Sequence, residues 1–102
     1  MNDGSAGAAD APHPEATRHV TIVNRKGLHA RAAARFVKLA QGFQAEITVI
    51  KQGTAVSGLS IMGLMMLAAA PGSMLELRAR GPGAGEALAA LALLIERKFD
   101  ED

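Results

Sequence analysis

The stretch Met74 to Arg80, MLELRAR, alternates without a break: Leu75, Leu77 and Ala79 on one side, Glu76, Arg78 and Arg80 on the other. Successive side chains of a strand leave on opposite faces, so this is the pattern of a half-buried strand. A sheet made of such strands has one apolar face and one wet face. It calls for a single covering layer of helices, not for helices on both sides.

The rest of the sequence supplies that layer. RHVTIVN, from Arg18, has the β-branched content of a strand, and AEITVIK and TAV read as two strands joined at a Gln52-Gly53 turn. HARAAARFVKLAQG reads as a helix: Ala33, Phe36, Val37 and Ala40 recur on one face, Arg31, Arg35 and Lys38 take the other, and Gly42 marks the stop. SIMGLMMLAAA reads as a second helix closed by Pro71-Gly72. After Gly81-Pro82-Gly83 a third carries Ala84, Leu88, Leu91, Ala92, Ile95 and Phe99 on one face, with Arg97 and Lys98 in its final turns. The order is β-α-β-β-α-β-α. The expected fold is α+β: a two-layer open-faced sandwich, a four-stranded antiparallel sheet covered on one face by three helices. Its 102 residues suffice for one domain. Residues 1–17, rich in Gly, Ala, Pro and acid, are expected to form a disordered tail, and residues 18–102 the folded domain.

Composition removes several function classes. With no cysteine there are no disulfides and no thiolate metal sites, which fits a cytoplasmic location. The amino-terminal stretch lacks the plan of a signal peptide. The longest apolar run, 59–71, is broken by Ser60 and Gly63 and falls short of the ~20 residues of a membrane span, so no membrane insertion is expected. A net charge of +1 and only three aromatic residues give no footprint for nucleic acid. No P-loop, metal-ligand spacing or local catalytic pair occurs, so no metal or cofactor is expected and hydrolase, kinase and metalloenzyme readings have no support. His13, between two prolines, and His19, in a strand, read as incidental or structural.

His29 is different. NRKGLHARAAARF places it where a helix begins, without the Ser, Thr, Asp or Asn that usually satisfies the first N–H groups. The bland reading makes His29 a weak cap, its ring nitrogen accepting one N–H bond. The sharper one starts from the unfilled donors: an uncapped helix start suits an anion, and Arg31, one turn in, offers a planar fork that matches phosphate oxygens. A neutral imidazole nitrogen is also a nucleophile. Each dipole contact is worth only about 0.3–1 kcal/mol. Such a site holds a phosphoryl group without trapping it, as a carrier must.

NRKGLHARAAARFV resembles the active-site segment of the HPr family, the histidine-containing phosphocarriers of the bacterial phosphoenolpyruvate-dependent phosphotransferase system. SIMGLMMLAAAPG, about thirty residues on, resembles the second family signature, centred on Ser60-Ile61-Met62-Gly63. The resemblance spans residues 18 to about 99 and implies the fold expected above. It implies that His29 takes the phosphoryl group on Nδ1, that Arg31 stabilises it and that the N–H groups of Ala30 and Arg31 point at it. The implied donor is Enzyme I and the implied acceptor an EIIA-type domain; such a protein is a carrier, not an enzyme. Ser60 matches the serine modified by HPr kinase/phosphorylase in many bacteria. Two positions depart: Ala32 stands where many members have proline, and Leu59 where many have lysine. The alanine-rich motifs look closer to the nitrogen-related branch of the system.

The second helix is apolar on two sides. Leu64 and Leu67 are assigned to the core. Ile61, Met62 and Met65 are assigned to partner docking, since methionines suit a surface that must fit several partners, with Arg31 and Arg35 as a positive rim. Ser60 would also be that helix's N-cap. An alternative of another class is a regulatory binding module that docks on a kinase or transcription regulator and leaves His29 idle. The intact Gly27-Leu28-His29-Ala30-Arg31 run favours the carrier. A monomer is expected.

Overall fold

The computed structural model describes residues 15–101. Its elements are β1 (Glu15–Thr21), α1 (Ala30–Ala40), β2 (Glu46–Lys51), β3 (Thr54–Ser57), α2 (Ile61–Met66), β4 (Met74–Arg80), α3 (Ala84–Glu96) and a 3-10 turn over Lys98–Asp100. The four strands form one antiparallel sheet in the order β1-β4-β2-β3. The architecture is the expected open-faced sandwich.

β4 follows its alternation: Leu75, Leu77 and Ala79 are buried beneath the helices, and Arg78 and Arg80 are exposed. On the wet face Arg78 donates to Glu76, and Arg80 donates to Glu46 at 2.6 Å. These bonds raise both guanidinium pKa values above the ordinary one. Gln52 and Gly53 both take positive φ, 48° and 84°, which closes the β2–β3 hairpin with the two-residue turn the sequence asked for. The core joins both layers: Phe36 from α1, Leu64 from α2, Leu91 and Ile95 from α3, and Val49, Leu75 and Leu77 from the sheet are all essentially inaccessible.

Three elements differ from expectation. β1 begins at Glu15, paired with Arg80, and ends at Thr21, so it lies three residues earlier than RHVTIVN. Residues 15–17, expected in the tail, belong to this strand, and residues 1–14 lie outside the described residues. α2 stops after six residues although alanines follow it. Local propensity loses here to tertiary bonds. Lys51 Nζ donates to the Leu67 carbonyl at 3.1 Å, the Leu28 N–H donates to the Ala69 carbonyl at 2.9 Å, and Ala68 between them turns left-handed. Finally, Phe99 reaches the core as expected but not on the helix. α3 ends at Glu96, and Phe99 swings in through the left-handed turn behind it.

Candidate functional site

The approach to α1 is held from both sides. Gly27 has φ +67°, and a Cβ there would stand 2.4 Å from the Ala69 carbonyl oxygen, so only glycine fits. Leu28 is buried beside it. Asn24, fully buried, donates from Nδ2 to the Gly27 carbonyl at 2.8 Å and closes the loop. The path from the end of α2 thus fixes where His29 sits. Ala68, Ala69 and Ala70 share with Lys26, Leu28 and His29 the lining of a shallow depression of about 250 Å³.

His29 is the N-cap residue of α1, extended at φ −80° and ψ −179°. Its side chain makes no capping bond, and the first turn holds no acidic residue. The weak-cap reading is therefore overturned. The ring engages another group: Nε2 lies 2.9 Å from both carboxylate oxygens of Glu101. The same Asn24 that closes the loop donates to Glu101 Oε1 at 2.8 Å.

Glu101 arrives by an unusual route. Lys98, Phe99 and Asp100 are all left-handed, with φ of 59°, 56° and 60°. For residues other than glycine this conformation costs roughly 1–2 kcal/mol each. Packing and polar bonds hold it. Phe99 is wholly buried, Arg35 Nη1 donates to its carbonyl, and Arg97 donates to both carboxylate oxygens of Asp100 at 3.0 and 3.1 Å. Left-handed backbone held in place by its surroundings is a recurrent mark of a functional site.

The structure brings His29, Ala30 and Arg31 together at the start of α1. Arg31 is exposed and has no hydrogen bond or ion pair among the described residues. Arg35 is half-buried and straps the turn at Phe99, a task the sequence did not disclose. Ser60 is the N-cap of α2, its Oγ accepting from the Gly63 N–H at 2.9 Å. Leu64 and Leu67 are buried, whereas Ile61, Met62 and Met65 are exposed, Met62 at 70%. Met66 and Leu59 extend this apolar surface. His19 lies on the wet face, 3.8 Å from Glu76. Among the described residues no cluster of His, Asp and Glu has the makings of a metal site, and no helix is long and apolar enough to cross a membrane.

Sequence reasoning missed Glu101 and Asn24. Asn24 carried a faint signal, a polar residue ending an apolar run just before a glycine turn. Glu101 carried none.

Against this geometry the comparisons are consistent. The family model for the PTS HPr component phosphorylation site matches residues 16–97. The chain belongs to the HPr family of phosphocarrier proteins. The phosphocarrier protein HPr of Neisseria meningitidis is 48% identical over 82 residues, covering 80% of this chain and 92% of that one. The phosphocarrier protein NPr of Shewanella violacea is 44% identical over 84 residues, covering 82% and 92%. Among solved structures, an HPr of Thermoanaerobacter tengcongensis superposes with a TM-score of 0.81 at 42% identity, over 85% of this chain and 98% of that one. An HPr dimer of the same organism superposes at 0.67, 45% identical over 78% and 92%. As an HPr-family member this chain is a phosphocarrier of the phosphotransferase system, a protein that relays phosphoryl groups rather than turning over a substrate.

Proposed function

We propose that His29 is the residue that carries the phosphoryl group, on Nδ1, received from phosphorylated Enzyme I and passed to an EIIA-type domain. The observation that carries this reading is the uncapped start of α1, with His29 at the N-cap position and an unengaged Arg31 two residues on. The N–H groups of Ala30 and Arg31 and the Arg31 guanidinium supply donors for the phosphoryl oxygens. The exposed surface of Ile61, Met62 and Met65 is the partner-docking face, with the exposed Arg31 as its positive rim; Arg35, expected at the same rim, is instead taken up by the Phe99 carbonyl and faces Leu94 and Asp100. Relatives named HPr and NPr match alike, so acceptors of both the sugar and the nitrogen-related branch belong in the assay. We place the protein in the cytoplasm, as a monomer.

The test mixes the protein with Enzyme I, phosphoenolpyruvate and magnesium and follows mass and the ³¹P spectrum, with His29→Ala in parallel. One acid-labile phosphoryl group as Nδ1-phosphohistidine, absent from the variant, is the expected result. No transfer from a cognate Enzyme I to folded protein overturns the reading and leaves the regulatory docking module on a kinase or transcription regulator in its place.

Ser60 is proposed as a regulatory site for an HPr kinase/phosphorylase. Phosphorylation there adds about −1.5 to −2 charges at the start of α2, which the helix tolerates and an acidic partner does not. A Ser60→Asp protein that accepts phosphoryl groups at the wild-type rate removes this role.

A further inference from the structure

We propose that Glu101 is a positioning residue for phosphoryl transfer: its carboxylate holds the proton of the His29 ring on Nε2 and so presents Nδ1 as the nucleophile. This rests on the assignment of His29 as the carrier residue.

The donor rules carry the argument. A carboxylate accepts hydrogen bonds and donates none. Both Glu101 oxygens lie 2.9 Å from Nε2, so Nε2 bears the hydrogen and the neutral ring keeps its lone pair on Nδ1. The hydrogen bond made by one ring nitrogen decides the state of the other. The carboxylate is itself fixed. Its side chain is only 8% exposed, Asn24 donates to Oε1 at 2.8 Å, and Asn24 also ties down the Gly27 carbonyl two residues before His29. Asn24, Glu101 and His29 thus form a connected row in which the outer members orient the reacting one. The left-handed run at 98–100 is an independent observation. It buries Phe99 and in the same turn sets the Glu101 carboxylate against Nε2 of the ring.

The step balances. The lone pair of Nδ1 attacks the phosphorus of the donor's phosphohistidine. The new N–P bond forms as the donor's N–P bond breaks, and that electron pair stays on the donor imidazole. No proton has to leave the His29 ring: Nε2 keeps its hydrogen, and the positive charge gained by the ring faces the Glu101 carboxylate. When the group moves on to an acceptor nitrogen the same changes run in reverse.

The test uses the full chain, ¹⁵N-labelled at histidine, as wild type, Glu101→Ala and Glu101→Gln, each checked for fold by its amide spectrum. Ring nitrogen spectra report the tautomer, and initial rates of phosphorylation by Enzyme I and phosphoenolpyruvate report transfer. In the wild type we expect one tautomer, Nε2–H. In Glu101→Ala we expect a mixture and a rate lowered roughly ten- to hundredfold, by analogy with the loss of the carboxylate partner of a metal-bound histidine. Glu101→Gln keeps the shape but offers Nε2 both a donor and an acceptor, so it no longer fixes the proton and should fall between the two in tautomer and in rate. A purely structural Glu101 would leave the tautomer unmoved. A wild-type ring protonated on Nδ1, or a Glu101→Ala protein with wild-type tautomer or rate, overturns the proposal. If the wild type accepts no phosphoryl group at all, the carrier assignment falls and this proposal with it. If the wild type and Glu101→Ala accept equally, only this proposal falls.

Discussion

Two helix starts in this molecule are built to opposite plans. At α2, Ser60 turns its hydroxyl back to the Gly63 N–H, the ordinary solution for an orphan donor. At α1, His29 occupies the same N-cap position and leaves the donors uncapped, its ring turned away to Glu101. Neither first turn has an acidic side chain. The helices differ, then, in what their starts are for. One is closed by its own sequence. The other is left open, with its ring held by residues distant in sequence, as the proposed phosphoryl site requires.

This contrast can be broken by substitution. The largest effect is expected from His29→Ala, which should reduce phosphoryl acceptance to background; any loss of stability, about 1–3 kcal/mol, comes from the nearly buried Glu101 carboxylate left without the ring and not from a cap. Acceptance assays beside thermal melts check both halves, and a variant that still accepts would move the site elsewhere. Gly27→Ala should come next. With φ at +67° and the Ala69 carbonyl in the way, a methyl group should destabilise the fold by about 2 kcal/mol or more and slow transfer by shifting His29; denaturant titration gives the first figure. Ser60→Ala removes a working cap and should cost about 1 kcal/mol, seen as a melting point lower by roughly 4–8 °C, with transfer little changed. If Ser60→Ala left the melting point unchanged, the contrast between the two starts would be wrong. Smallest in stability is Met62→Ala, expected within about 0.5 kcal/mol of wild type because the side chain is exposed. Its effect should appear as a raised KM for Enzyme I.

Most of the fold was legible because its signals are local. β4 was set by alternation, the hairpin by Gln52-Gly53, and the α1 face by Phe36 and Val37 at helical spacing. His29 was legible as an anomaly, a poor cap in a capping position. What the sequence hid depends on long-range bonds. The early end of α2 contradicts its alanines and follows from carbonyls claimed by Lys51 and Leu28. Glu101 meets His29 across 72 residues and Asn24 across 77. The turn that delivers it is left-handed at Lys, Phe and Asp, with no glycine or asparagine to announce it.

The turn at 98–100 also bears on how the protein is handled at the bench. Arg97 and Lys98 are exposed basic residues between the last long helix and Glu101, so a trypsin-like contaminant that cuts there would detach Phe99 and Glu101 together. All four strands lie in the larger fragment, but it would lack the wholly buried Phe99 and should melt at a lower temperature. If Glu101 orients the ring as proposed, such a sample would hold two populations of His29, and phosphorylation progress curves would turn biphasic. For preparations of this protein, intact mass belongs beside every rate.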